Sequence, residues 1–149
     1  MGRKGGIKHL KRKPSPRVWA VERKKYTWIV NPSPGPHPIA QCLPLTLILR
    51  DFLKLAETAK EAEKIVAQEK VNVDGKIRRD ASYPAGIMDV LTLPDADRSY
   101  RVLPSQKGLI LHPIEKGEAS FKLCRIEIKT TVDNGNVQLN LHDGTSMLI

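Results

Sequence analysis

Cysteine is scarce in this chain of 149 residues: two occur, Cys42 and Cys124, far apart. Neither has a neighbour at metal-ligand spacing, so a zinc site and a disulfide framework are both unsupported, and reduced, half-buried thiols are expected. That usage fits a cytoplasmic protein. Long apolar runs are missing too. The longest, Leu43 to Leu49, is interrupted by Pro44 and Thr46 and stops at Arg50, against the roughly 20 residues that a membrane span requires. The basic N-terminus has no apolar stretch of the kind a secretory signal carries. Pro32 occupies the forbidden middle position of Asn31-Pro32-Ser33, which excludes N-glycosylation there. Catalytic signatures are absent as well: no phosphate-binding Gly-Lys-Ser/Thr loop, no His-Glu-x-x-His, no Cys–His pairing and no nucleophile triad. His9 lies in the basic tail, His37 between prolines, and His112 before Pro113. His142 beside Asp143 reads as local hydrogen bonding at a strand end. No enzyme activity, no cofactor, no metal and no small-molecule substrate are expected.

Acidic residues are nearly absent from one end. Residues 1–25 hold ten of the 25 Lys/Arg and one of the 16 acids, Glu22, so the whole +9 excess resides there and the rest of the chain is balanced. Arg3, Lys4, Lys8, Lys11, Arg12, Lys13, Arg17, Lys24 and Lys25 are candidate contacts to a polyanion, because each cation that neutralises a phosphate releases condensed counterions without needing base readout. Self-repulsion, together with Gly2, Gly5, Gly6, Pro14 and Pro16, predicts an extended arm. A merely solubilising tail, a membrane-surface role and a nuclear-import role share this composition. Within residues 18–30, Trp19, Tyr26 and Trp28 stand among the cations. They either stack on unpaired bases or pin the arm to the body by burial, and the uninterrupted Trp28-Ile29-Val30 favours pinning. Residues 31–38, NPSPGPHP, are an extended linker or clamp that admits no helix.

The stretch from Leu43 to Leu93 organises the rest. A first helix is predicted to start near Leu43 with Pro44 in its first turn and an apolar face of Leu45, Ile48, Leu49, Phe52 and Leu55. Thr58 and Glu61 stand in capping-box relation, so a second helix starts there, with Ala59, Ala62, Ile65 and Val66 at helical spacing. Val71 and Val73 alternate like a half-buried strand, Asp74-Gly75 marks a type I′ hairpin turn, and Lys76-Ile77-Arg78-Arg79 returns with three cations. Lys60, Lys64, Lys76, Arg78 and Arg79 are the candidate RNA contacts of this region. Lys60 and Lys64 have a second reading, as a solvated face paired with Glu57, Glu61 and Glu63. Gly86 is predicted to allow a turn before a strand carrying Val90, Leu91 and Leu93. Beyond Leu93 the pattern is β: Tyr100–Leu103, Gly108–His112, a long strand from Phe121 to Thr131 with a bulge between Leu123 and Cys124, a turn at Asn134-Gly135, then Val137, Leu139 and Leu141 alternating. Met147-Leu148-Ile149 reads as a strand with no partner to follow, as though the 149 residues were part of something longer.

TAKEAEKIVAQEKVNVDGK resembles the S-four type RNA-binding domain of ribosomal proteins and RNA-modifying enzymes: Thr58, Ala62, Val71, Val73 and Gly75 match, while Ala59 stands where the family often has Arg and Glu69 where it often has Gly. In order, KHLKR, GPH, CLPL, LRD, VDGK, YPAGIMDV, YRVLP, LILHPI and VQLNLHDG are similar to the archaeal and eukaryotic small-subunit ribosomal protein family of the e-type S-four kind. Members of that family usually continue into a further small barrel, the KOW module, which is not within this sequence. The resemblance implies an α+β chain with three parts: a basic extended N-terminal arm and Pro-rich linker (1–42), a small S-four type RNA-binding domain of two helices plus a β-ribbon (43–93), and an incomplete antiparallel β-rich, barrel-like domain (94–149). It implies a cytoplasmic structural constituent of the small ribosomal subunit. Its partners would be small-subunit rRNA and neighbouring ribosomal proteins, with no membrane among them. A free RNA chaperone or translation regulator using the same module is the alternative.

Overall fold

A computed structural model describes residues 9–22, 24–132 and 135–149. The predicted turn residue Asn134 and the candidate contacts Arg3, Lys4 and Lys8 lie outside the described residues. The architecture is α+β, with short helices and antiparallel strands in several small sheets.

The basic N-terminal segment is not an extended arm over residues 10–29. Strand β1 (Leu10–Lys11) pairs antiparallel with β2 (Trp28–Ile29), in the register Leu10 to Ile29 and Lys11 to Trp28. What holds it is apolar burial that outweighs charge repulsion. Trp19 is 1% exposed and joins the central core with Val21 and Ile29, while its indole N–H donates to the Cys42 carbonyl at 2.7 Å. The Leu109 amide donates to the Val18 carbonyl at 3.0 Å. A side chain at Gly108 would run into that carbonyl, since a Cβ there would lie 2.2 Å from it. The Arg12 guanidinium closes the loop by donating to the Ser15 hydroxyl and the Val21 carbonyl.

Strand β3 (Cys42–Pro44) pairs with a later strand and runs straight into α1 (Leu45–Leu47). The predicted first helix therefore starts two residues later than its pattern suggests, and Pro44 is its extended N-cap. Its free first-turn amides find carbonyls elsewhere: Leu45 donates to Tyr83 and Thr46 to Ala81, which meets the requirement that buried helix starts be satisfied. The helix then widens into a π turn (Ile48–Phe52), with the Leu53 amide reaching the Ile48 carbonyl, and ends at Lys54 in the left-handed region (φ 54°). Leu45, Leu47, Ile48 and Leu49 are buried as an apolar face, but Leu55, beyond the break, is 48% exposed. Helix α2 (Ala59–Ala67) starts on the predicted capping box: the Thr58 hydroxyl accepts from the Glu61 amide, and the Glu61 carboxylate accepts from the Thr58 amide. Ala62 and Val66 face the core.

Strands β4 (Asn72–Val73) and β5 (Lys76–Ile77) form the predicted hairpin, with Asp74 and Gly75 both at positive φ (51° and 71°). Strand β6 (Pro84–Gly86) pairs with β3. Gly86 is thus a strand residue and not the predicted turn; the left-handed turn residue is Met88. The smallness of Gly86 serves packing, because a Cβ there would meet the His37 ring at 2.1 Å. Strands β7 (Val90–Leu93), β8 (Arg98–Ser105) and β9 (Gly108–Ile114) extend the hairpin into a five-stranded antiparallel sheet of order β5-β4-β7-β8-β9. Val73, Leu91, Leu93, Val102 and Leu109 from this sheet cover the two helices.

The long strand predicted from Phe121 starts only at β10 (Ile126–Thr131). Phe121 and Leu123 lie outside it and are exposed. The register shift falls between Ile126 and Ile128 instead of between Leu123 and Cys124, because Lys122 and Cys124 are drawn inward by acidic partners described below. Strand β11 (Val137–Leu141) pairs with β10 and with β12 (Ser146–Leu148). The final apolar triplet therefore finds its partner in the preceding strand.

Three separate segments meet at one ammonium. Lys122 Nζ contacts Asp143 at 2.7 Å and Asp89 at 3.1 Å and also hydrogen-bonds Asp74. Asp89, almost fully buried, also accepts from the Gly86 amide (2.9 Å) and lies 3.0 Å from His37 Nε2. Asp74 accepts from the Val90 amide as well, and Asp143 from the Thr145 hydroxyl and amide. His142 Nδ1 accepts from the Arg125 amide, which leaves its Nε2 proton for the Ile87 carbonyl at 3.3 Å. Burial pulls the Lys122 ammonium down, but its hydrogen bonds to Asp143 and Asp74 and the Asp89 charge outweigh this and hold it well above its ordinary value. Burial pushes Asp89 up, yet His37, the Gly86 amide and Lys122 prevail and hold it low. Asp143 is likewise held well below the carboxylate range, Lys122 and Thr145 overcoming burial.

Removing one partner of a buried charge cluster strands the others. Lys122→Met should lower the unfolding free energy at neutral pH by about 3 kcal/mol, read by urea denaturation. The two carboxylates have folded pKa values below the ordinary 3.8, so their stabilisation is present above that pH and is lost as pH falls through and below it. Lys122, held above 10.5, loses its contribution only on the alkaline side of that value. The deficit of Lys122→Met should therefore shrink toward pH 3, near the carboxylate value of 3.8; a deficit independent of pH would mean the loss is packing alone.

Candidate nucleic-acid interface

Two cationic surfaces result. The first is the N-terminal hairpin. Lys11, Lys13, Arg17, Lys24 and Lys25 are all exposed on it, and Lys24 sits at φ 67°. Arg12 is half-buried and spends its guanidinium on Ser15 and Val21, so it is a structural tie as much as a contact. The aromatics divide. Trp19 pins the segment by burial, whereas Trp28 is 55% exposed, with Lys11 Nζ 5.3 Å from its ring centre and the His9 ring edge-on at 5.7 Å. The apolar run Trp28-Ile29-Val30 thus sends Ile29 inward and Trp28 outward, as strand alternation dictates. Tyr26 carries the Arg50 guanidinium at 4.1 Å from its ring centre, and Arg50 is itself oriented by two hydrogen bonds to Asp51.

The second surface is the returning arm of the β4–β5 hairpin. Lys76 is exposed, the Arg78 guanidinium stacks on Tyr83 at 4.3 Å, and Arg79 pairs with Glu69 through Nε at 2.9 Å. Glu69, Ile77, Arg78, Arg79, Asp80 and Tyr83 enclose an open cleft of about 410 Å³. Burial pushes the Tyr83 hydroxyl up, and Arg78 only partly offsets this. Arg78 Nε is buried without a hydrogen-bond partner. Lys60 and Lys64 are exposed on α2, outside that cleft, and neither closes an ion pair among the described residues. The Lys64 charge contributes to the low carboxyl of Glu61, after the Glu57 and Thr58 amides. The two surfaces share no lining residue.

Arg50 is the functional candidate that sequence reasoning missed. It completes an Arg–aromatic stack with Tyr26, distant in sequence, and neither spacing nor composition carries a signal for that; Tyr83 stacks with Arg78 from five residues away. Cys42, for its part, is buried; burial and then the Asp89 charge push its thiol up to about 12, so it is inert, and both cysteines are free.

Comparisons with known proteins agree with the geometry. The model described as ribosomal family S4e matches residues 96–149, the RS4NT (NUC023) domain model residues 4–40, and the S4 domain model residues 48–91. The small ribosomal subunit protein eS4 of Desulfurococcus amylolyticus is 51% identical over 150 aligned positions, covering all of this chain and 60% of the relative. The chain belongs to the ribosomal S4e family. The eS4 protein of Methanothermobacter thermautotrophicus is likewise 51% identical, over 95% of this chain and 59% of its own length. The crystal structure of 30S ribosomal protein S4e from Thermoplasma acidophilum superposes with a TM-score of 0.62 at 35% identity, covering 73% of this chain and 56% of that one. The chain therefore spans about 60% of the length of the S4e relatives it matches.

Glu69 occupies the residue position where α2 turns into the hairpin, at φ 62°, a conformation that costs a side-chain-bearing residue about 1 kcal/mol. Its pair with Arg79 is solvent-exposed and contributes less than that. Glu69→Gly should therefore raise unfolding stability by about 0.5 kcal/mol, and Glu69→Ala should not; chemical denaturation of the two variants distinguishes them.

Proposed function

We propose that this chain is an rRNA-binding structural constituent of the small ribosomal subunit in the cytoplasm, with small-subunit rRNA and neighbouring ribosomal proteins as partners. The observation that carries this reading is the clustering of exposed cations around the exposed Trp28 and the half-buried Tyr26 on the N-terminal hairpin. The naming of the S4e relatives as small ribosomal subunit proteins supports it. In this reading residues 43–93 are the S-four type module, built from the short α1 and its π turn, α2 and the β4–β5 ribbon. Residues 94–149 are part of a barrel-like β domain, and residues 1–42 the arm and linker. The candidate contacts are Arg3, Lys4, Lys8, Lys11, Arg12, Lys13, Arg17, Lys24, Lys25, Lys60, Lys64, Lys76, Arg78 and Arg79.

The mechanism is positioning by phosphate. Lys and Arg displace counterions from the RNA backbone, and the rigid body supplies a shape complementary to folded RNA. Phosphate contacts set register and carry little base information. The Lys122 cluster matters here because it holds linker, hairpin and C-terminal sheet as one body, so both cationic surfaces can be presented at once. No chemical step is assigned to any residue.

Deleting residues 1–8 removes Arg3, Lys4 and Lys8. The slope of log affinity against log salt for an rRNA fragment should fall by roughly 2.1 to 2.7, at about 0.7 to 0.9 per neutralised phosphate. Replacing Arg78 and Arg79 together by Ala should weaken the same binding while moving unfolding stability by about 1 kcal/mol, since one pair is exposed and the other is a half-buried stack. Filter binding across a salt series reads the first and denaturation the second. Protein that washes off small subunits at high salt and remains in the soluble fraction would instead indicate a factor acting off the ribosome.

A further inference from the structure

The N-terminal hairpin is concave as well as cationic. Between β1 and β2 the chain encloses a cleft of about 920 Å³, lined by Arg12, Lys13, Arg17, Lys24 and Tyr26 with two small hydroxyl residues and no carboxylate. That size belongs to a ligand-sized site. Three of its cations, Lys13, Arg17 and Lys24, are exposed and form no ion pair among the described residues. Arg12 Nε is buried and has no hydrogen-bond partner. Tyr26 is the single aromatic of the lining, and it is held in place: Arg50 stacks on it at 4.1 Å, and Arg50 is anchored by Asp51 at 2.7 and 3.1 Å.

A flat ring held by Arg50, with exposed cations around it, is what an unpaired base and its flanking phosphates require. A phosphate-only surface needs no aromatic wall, and a double helix cannot present a base face to one. We propose that this cleft is a nucleotide subsite for single-stranded RNA. One unpaired base stacks on Tyr26, and its neighbouring phosphates lie against Lys13, Arg17 and Lys24. The inference rests on the RNA-binding reading and sharpens it: the hairpin selects an unstacked nucleotide, while the rest of the cationic surface accepts folded RNA of any sequence.

The test uses the full 149-residue chain and fluorescence anisotropy with three labelled probes: an oligouridylate, an abasic strand of the same length, and a blunt RNA duplex. The oligouridylate should bind about tenfold more tightly than the abasic strand, the size of one base–aromatic stack. Tyr26→Ala should abolish that difference and leave duplex affinity within about twofold; Tyr26→Phe should preserve the difference. Lys13→Gln with Arg17→Gln should lower the salt slope for both strands by roughly 1.4, at about 0.7 per phosphate on a single strand, while keeping the tenfold gap. Equal affinity for the base-bearing and abasic strands overturns the subsite, as does a gap that survives Tyr26→Ala. If duplex binding persists in either case, the RNA-binding reading stands without it. Competition by polyglutamate as effective as that by oligouridylate would assign the cleft to an acidic protein partner and overturn the proposal. Failure to bind any of the three RNAs would remove both.

Discussion

The structure depends on the ammonium of Lys122. It is placed where three carboxylates converge: Asp74 from the hairpin turn, Asp89 from the loop before β7, and Asp143 from the turn after β11. One positive charge among three negatives is tolerable only because each carboxylate has further donors: the Val90 amide, the Gly86 amide with His37, and Thr145. Such a cluster contributes less to net stability than its Coulomb attraction suggests, since every member was desolvated to form it. What it supplies is specificity. An apolar contact tolerates sliding; a lysine shared by three fixed acids does not, and so the C-terminal sheet has one seat on the body.

The same logic, with burial in place of charge, seats the N-terminus. Nine excess positive charges in residues 1–25 repel one another, yet Trp19 and Ile29 draw the segment onto the core and the indole N–H is satisfied by the Cys42 carbonyl. Burying an indole contributes on the order of 3 kcal/mol, more than screened repulsion between exposed cations removes. The outcome is a hairpin whose apolar side faces in and whose cations and Trp28 face out. Repulsion does not unfold the segment; it leaves the outer face strongly cationic.

Function follows from this division of labour. The body is electrically balanced, the excess charge lies in residues 1–25, and a local cluster of cations sits on the returning arm of the β4–β5 hairpin. Both surfaces include an arginine laid on a tyrosine ring, Arg50 on Tyr26 and Arg78 on Tyr83. Arg78 is pre-oriented in this way, whereas Arg50, paired with Asp51 and 8% exposed, fixes the Tyr26 ring. The C-terminal sheet, by contrast, leaves Ile126, Ile128, Met147 and Leu148 exposed and contributes no such stack.

Much of this was legible in the residues themselves. The α2 capping box, the Asp74-Gly75 turn, the alternation of Val137, Leu139 and Leu141 and the confinement of excess charge to residues 1–25 are local properties, set by backbone sterics, short-range hydrogen bonds and side-chain type. The late start of α1, its π turn, the strand role of Gly86 and the shifted bulge in β10 were not. The π turn apart, each follows a partner distant in sequence: Pro84 and Tyr83 on the entry to α1, the His37 ring on Gly86, the acids around Lys122 on the chain leading into β10. The sequence by itself determined where α2 and the Asp74-Gly75 turn begin and that the excess positive charge lies at the N-terminus. Only the tertiary structure decided that Trp19 goes in while Trp28 stays out, and that one lysine joins three segments, because those outcomes depend on which surfaces meet, and no local interaction encodes that.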